Sequence, residues 1–177
     1  MEILSPAGSP EHIKAAVRSG ADAVYLGTQH FNARQNAANF DMQELENALK
    51  YCHARGVKVY IALNTLIKDC ELKLAEKEIV AIARLGADAV IIQDLAMVQL
   101  VKDIVPQMPL HASTQMSVHN LSGVKMLEKM GFSRVVPARE LSLEELAYIR
   151  ENTSLELEVF VHGALCMCVS GQCYMSS

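Results

Sequence analysis

The feature that most constrains the fold is an internal repeat. Ser19-Gly-Ala-Asp-Ala-Val-Tyr-Leu26 returns as Leu85-Gly-Ala-Asp-Ala-Val-Ile-Ile92, and Met130-Gly-Phe-Ser-Arg-Val-Val136 is a weaker third copy. In each copy a glycine stops a helical pattern and a short apolar run follows. A helix that hands over to a buried strand at intervals is the unit of a parallel α/β fold.

The remaining segments fit that alternation. Glu2-Ile-Leu-Ser5 reads as a strand, and Ser9 with Pro10 opens a helix that ends at Gly20. A polar loop, 28–40, precedes a helix begun by Asp41 and Glu44 as a capping box, with Met42, Leu45, Ala48, Leu49 and Cys52 on its apolar face. Val57 to Leu63 is a third strand, and a helix is expected over Glu71 to Leu85. Asp94 caps a helix through Ile104, and Pro109 to Ser113 forms the fifth strand. Helices over Asn120–Met130 and Ser142–Arg150 follow, the second with Ser142 and Glu145 as a capping box, and Leu155 to Val161 is a seventh strand.

Seven apolar strands alternating with six helices predict an α/β fold of the (β/α)8 TIM barrel type, here incomplete, with the eighth strand missing. A doubly wound open sheet is the rival, but no G-x-G-x-x-G fingerprint follows any strand, which argues against dinucleotide binding. The 177 residues fall short of the usual barrel length of about 250. The expectation is therefore a single barrel domain over 1–177, cut from a longer chain and, by the resemblance given below, its N-terminal region, with open edges that could support a dimer.

Bulk properties narrow the class. With 51% hydrophobic and 20% charged residues the chain suits a globular core and not a disordered segment. A net charge of −4 gives no basic field of the kind a nucleic-acid binder shows, so any polyanion partner must be met by a local patch or by sequence beyond this stretch. No basic leader precedes a long apolar run, and no window of about 18 apolar residues occurs, so a cytoplasmic protein without a membrane partner is expected. Three of the five cysteines fall within eight positions, which suits metal or redox chemistry better than a disulfide framework.

In a barrel, chemistry gathers where strands lead into helices. The residues there are Ser5, Asn32, Arg34, Asn64, Gln93, Asp94, His111, Gln115, Arg139, Glu140 and His162. Ser5 and Asp94 read first as helix caps, and Asn64 and Gln93 as partners of loop backbone. Arg34 and Arg139 are candidate anion binders. His111 is the histidine of interest, although one imidazole beside a strand is commonly structural; His12, His30, His53 and His119 receive no role. The sequence shows neither a G-x-S-x-G turn nor an H-E-x-x-H helix, and no carboxylate pair stands out for glycoside cleavage.

Chemistry concentrates in Glu158-Val-Phe-Val-His-Gly-Ala-Leu-Cys-Met-Cys-Val-Ser-Gly-Gln-Cys173, which reads as a buried strand running into a thiol turn. His162, Cys166, Cys168 and Cys173 could form a four-ligand zinc site, though the single-residue spacing is atypical. An iron–sulfur cluster wants about four thiolates, more than this turn holds.

The pattern Glu158-x-Phe160-x2-Gly163-Ala-Leu-Cys166-x4-Gly171-x-Cys173-x-Met175-Ser176 resembles the signature of the collagenase-like peptidase family, number thirty-two among peptidases of unknown mechanism. Leu4-Ser-Pro-Ala-Gly8, Asn32-Ala-Arg34, Leu110-His-Ala-Ser-Thr-Gln115 and Ala138-Arg-Glu-Leu-Ser142 are similar to other blocks of that family. The family includes prephenate-dependent hydroxylases of transfer and ribosomal RNA and ubiquinone hydroxylation factors, besides collagen-degrading members. Asn32–Asn36 and His111–Gln115 look most similar to the branch acting on a ribosomal cytidine. The resemblance implies a 4Fe–4S cluster on Cys166, Cys173 and two later cysteines; the reading of the residues themselves leaves zinc or no metal in this stretch alone as the alternative. It implies RNA and a small carboxylate such as prephenate as partners, with a peptide as the alternative. His111, Gln115 and Arg139 would be catalytic, and Asn32, Arg34, Asn64 and His162 would bind substrate. Cys168 lies outside the family pattern and reads as an incidental thiol.

Overall fold

The computed structural model describes residues 1–33, 39–163 and 166–173. They form two compact units, Met1–Met108 and Pro109–Ser177. The first contains β1 (Leu4–Pro6), α1 (Pro10–Arg18), β2 (Ala23–Gly27), α2 (Met42–His53), β3 (Lys58–Leu63), α3 (Leu72–Leu85), β4 (Ala89–Ile92) and α4 (Leu95–Ile104). The second contains β5 (Leu110–Ala112), α5 (Leu121–Lys129), β6 (Arg134–Val135), α6 (Leu143–Glu151) and β7 (Glu156–Leu157). A single 3-10 turn, Asp69–Glu71, leads into α3, and another, Thr114–Met116, follows β5. Among the described residues, seven strands alternating with six helices make an α/β fold of the TIM barrel type without an eighth unit.

All pairing within each unit is parallel. The repeat sets the register. After α1, Gly20 takes φ 89° and after α3 Gly86 takes φ 86°, a left-handed conformation that a side chain would oppose. Two residues on, Asp22 grips Ile3: its N–H donates to Ile3 O at 2.9 Å, and its Oδ2 accepts from Ile3 N at 2.7 Å. Asp88 grips Val59 identically, with distances of 3.0 and 2.7 Å. Ser133 occupies the equivalent place in the third copy and donates both N–H and hydroxyl to Leu110 O.

With register fixed, strand residues divide between two faces. Val24, Leu26, Val59, Ile61, Leu63, Val90 and Ile92 form one set, all buried. The other set contains Ala23, Tyr60, Ala89 and Ile91, packed with Leu4 and Tyr25. Burial on both faces explains why these strands read as continuous apolar runs.

Capping follows the sequence closely. Ser9 accepts from His12 N, Asp41 and Glu44 form the reciprocal box, and Ser142 and Glu145 form the other. Asp94 caps α4 through Ala96 N and also accepts from Ile67 N. Ser5, in contrast, lies within β1 and caps nothing; Ser9 has that role. Met42, expected on the buried face of α2, is exposed, because it stands at the helix start before the packed turns of Leu45, Ala48, Leu49 and Cys52.

The larger correction concerns β7. Expected from Leu155 to Val161, it pairs with β6 only at Glu156 and Leu157, followed by one backbone bond from Glu158 N to Val135 O. Val159, Phe160 and Val161 are exposed, the last at 92%. Apolar composition makes a strand possible but cannot hold one where no further ladder bonds form. What does hold β7 is Arg134, a buried cation whose guanidinium pairs with Glu156 and Glu158.

Two outcomes follow from these contacts. Asp88→Ala should lower stability by about 1–3 kcal/mol by stripping the acceptor from the N–H of buried Val59, and Asp22→Ala by less because Ile3 is exposed; urea denaturation midpoints measure both. Burial pushes the Cys52 thiol up to about 11, so it stays protonated at pH 8 and should resist alkylation in the native protein while exposed Cys70 is modified; peptide mass mapping reads this directly.

Candidate functional site

The site is built on two loops of the second unit, one after β6 and one after β7. Pro137-Ala-Arg-Glu140 follows β6 and places Arg139 and Glu140 before the capping box of α6. The loop after β7 brings three thiols together: the Sγ atoms of Cys166, Cys168 and Cys173 all lie within 4.8 Å of one another.

Ser170 fastens the second loop to the first. It is 1% exposed, and its backbone and side-chain polar groups are all engaged. Its Oγ accepts from Arg139 N at 3.1 Å and Arg139 Nε at 3.2 Å. Its N–H donates to Glu140 Oε1 at 2.8 Å, and its carbonyl accepts from Ser117 Oγ at 2.6 Å. The remaining guanidinium nitrogens of Arg139 donate to the carbonyls of Cys166 and Cys168, at 3.4 and 3.1 Å. One planar fork therefore fixes the backbone at two of the three thiols.

Gly171 makes this docking possible. At φ 79° it turns the chain back toward Cys173, and a Cβ there would stand 2.2 Å from Ser117 Oγ and 2.6 Å from Gln115 O. His119 extends the network, its Nδ1 donating to Ser117 O at 2.6 Å while Nε2 faces Glu140 Oε2 at 3.4 Å. Partial burial opposes ionisation of Glu140, but hydrogen bonds from Ser170 and its own backbone, with the charge of His119, hold its carboxyl below the usual range. The Cys168 thiol is held above its ordinary value, first by hydrogen bonding and charge from Cys173, then by burial and Cys166.

The structure brings Gln115, Arg139, Cys166 and Cys173 to one place in the second unit. Gln115 lies in the 3-10 turn after β5, and its Oε1 is buried with no hydrogen-bond partner among the described residues. His111 is buried within β5 in register with Arg134. His162 is exposed and stands outside the thiol group, so the four-ligand zinc arrangement that included it does not form. Cys168, a candidate zinc ligand by spacing but incidental by the family pattern, is a full member of the triangle.

In the first unit, Asn32 and Asn64 shape the loop after β2. Asn32 is buried against Gly27, where a Cβ would come 1.9 Å from its Nδ2, and it donates to Asn39 Oδ1 at 2.6 Å. Asn64 Oδ1 accepts from Ala33 N at 3.1 Å. Arg34 lies outside the described residues.

Sequence reasoning missed Ser117, His119 and Ser170. Serine in a Gly-containing loop carries no signal of its own, because its partners are 31 and 53 positions away. His119 could have been found only through its place after β5.

Removing the Ser170 hydroxyl should loosen the loop without unfolding the unit. Ser170→Ala leaves two donors of Arg139 unmatched, a loss of about 1.5–3 kcal/mol for bonds to a charged group. The alkylation rate of Cys168 and Cys173 should rise about tenfold or more, with an unchanged circular dichroism spectrum.

Comparison with known proteins places these loops. The Peptidase family U32 profile matches residues 8–177. The chain is 40% identical over 176 residues to the 23S rRNA 5-hydroxycytidine C2501 synthase of Escherichia coli K12, covering 99% of this chain and 26% of that protein. It is 39% identical over 176 residues to tRNA hydroxylation protein P of the same organism, covering 99% of this chain and 39% of that one. A solved U32 peptidase superposes with TM-score 0.77 at 21% identity, over 90% of this chain and 68% of the other. The chain thus spans well under half the length of the curated relatives it matches.

Proposed function

The chain belongs to Peptidase family U32, and we propose that the protein carrying it hydroxylates a base of ribosomal or transfer RNA with an iron–sulfur cluster and a small carboxylate such as prephenate. The observation that carries this reading is the identity of 39–40% across 99% of the chain to proteins named for RNA hydroxylation. The donor type supports it, since soft thiolates suit iron–sulfur centres.

In this proposal Cys166 and Cys173 hold a 4Fe–4S cluster with two thiolates from outside residues 1–177. When bound, the cluster supplies one-electron chemistry. Arg139 and Ser170 keep the ligand loop in place through the contacts described above. Because the Arg139 guanidinium is already engaged, Arg34 is assigned the carboxylate of the co-substrate, where a planar fork gives paired hydrogen bonds. Asn64 sets the position of Ala33, the residue before Arg34, and Asn32 braces the same loop. The buried Oε1 of Gln115 is an acceptor suited to an exocyclic amino group such as that of cytidine. His111 is assigned proton transfer, and exposed His162 contact with the RNA.

A peptidase is the second reading, favoured by the family's name and its solved member. It requires a nucleophile with an adjacent base, and among the described residues only cysteines gather with Cys166 into a potential metal-binding group.

The test is anaerobic purification of the whole protein with iron and sulfide analysis, joined to nucleoside mass spectrometry of RNA from cells lacking the gene. Cluster content should depend on Cys166 and Cys173, and deletion should remove one hydroxylated nucleoside that the wild type restores and Cys166→Ser does not. An iron-free protein that cleaves peptide, with cleavage abolished by Cys166→Ala, would overturn the reading.

A further inference from the structure

The thiol loop presents three sulfurs, one more than the two assigned to a cluster. A tetrahedral zinc ion, with Zn–S of about 2.3 Å, places its thiolates about 3.8 Å apart. The three Sγ atoms already lie within 4.8 Å of one another, so closing on a single ion shortens each separation by no more than about 1 Å. A cubane cluster puts one thiolate on each iron and so spreads its ligands more widely. As they stand the three sulfurs are spaced for one ion, and holding a cluster would require Cys166 and Cys173 to spread apart.

The surroundings suit such a centre. Gly171 in its left-handed conformation returns the chain so that Cys173 meets Cys166 and Cys168. Ser170, buried between Cys168 and Cys173 in the sequence, anchors the loop to the segment after β6. Three thiolates around a divalent cation leave one net negative charge, and the Arg139 guanidinium stands on the carbonyls of Cys166 and Cys168 to offset it. Cys166 is exposed, which leaves a fourth position open to water.

We propose that Cys166, Cys168 and Cys173 form a trithiolate site for a single zinc-class d10 divalent cation, with Cys168 as the third ligand. Binding exchanges thiol protons for the cation, the protons passing to solvent, with no change of oxidation state. The proposal rests on the same loop as the hydroxylase reading but not on that activity. Zinc and the iron cluster are alternative occupants of Cys166 and Cys173, and Cys168 serves the first.

The test uses this chain, reduced and metal-free, titrated with Zn2+ against a chromophoric competitor and separately with Co2+. One zinc should bind per chain and protect Cys166, Cys168 and Cys173, but not Cys70, from alkylation in peptide mass mapping. Cobalt should give thiolate charge-transfer bands with tetrahedral d–d bands, and Cys168→Ser should reduce the charge-transfer intensity by about one third and weaken zinc at least tenfold. Cys70→Ser should bind zinc as the parent does. Absence of stoichiometric zinc, or Cys168→Ser binding zinc as tightly as the parent, overturns the proposal. Zinc binding in a protein that hydroxylates no RNA would sink only the hydroxylase reading, and cluster binding without zinc affinity only this one.

Discussion

Register in these parallel units is set by the clamps that follow Gly20, Gly86 and Gly131, the left-handed glycines of the repeat. Asp22 on Ile3 and Asp88 on Val59 each use one residue as both donor and acceptor, and Ser133 on Leu110 reproduces half of that arrangement. A slip of one position would exchange the two faces of every strand and send Val59, Ile61 and Leu63 to the side now held by Tyr60 and Ala62. The clamps stand where strands begin, and so determine which residues emerge where strands end. The positions of Asn64 after β3 and Gln115 after β5 depend on that choice.

The thiol loop shows a different kind of control. It has no ladder to follow after Leu157, and Val159 to Val161 make no packed core. Its order comes from side chains: Arg134 holds the last paired residues of β7, and Arg139, Glu140 and Ser117 hold Ser170. Charge-assisted hydrogen bonds do here what apolar burial does in the strands. The Glu140 carboxyl stays ionised to lower pH than an ordinary glutamate, so its bond to Ser170 N is present above the usual carboxylate range. It is lost only as pH falls through the lowered value.

Much of the fold was legible because local chemistry determines it. Ser9, Asp41, Asp94 and Ser142 cap where their neighbours said they would, since a cap and its N–H lie within three residues. The repeat announced its strands through a glycine and a β-branched run. The seventh strand was overextended because Val159-Phe-Val161 has strand composition without the partner that makes a strand. Grouping Cys166 with Cys173 followed from a motif, while Cys168 was a zinc candidate by spacing alone and an outsider to the motif, and the turn at Gly171 brings it to the other two. Arg139 was visible as a cation, but that its fork faces carbonyls of its own chain depends on Ser170, 31 positions away.

Ser170 ties its loop to the segment after β6 through its nitrogen and hydroxyl and to Ser117, after β5, through its carbonyl. Rotating the residue out breaks these contacts together and leaves the loop on the Arg139 bonds to the carbonyls of Cys166 and Cys168. The thiols are thus presented by a loop whose seat is polar on every side, so the strength of that seat follows pH and salt where the strand core does not.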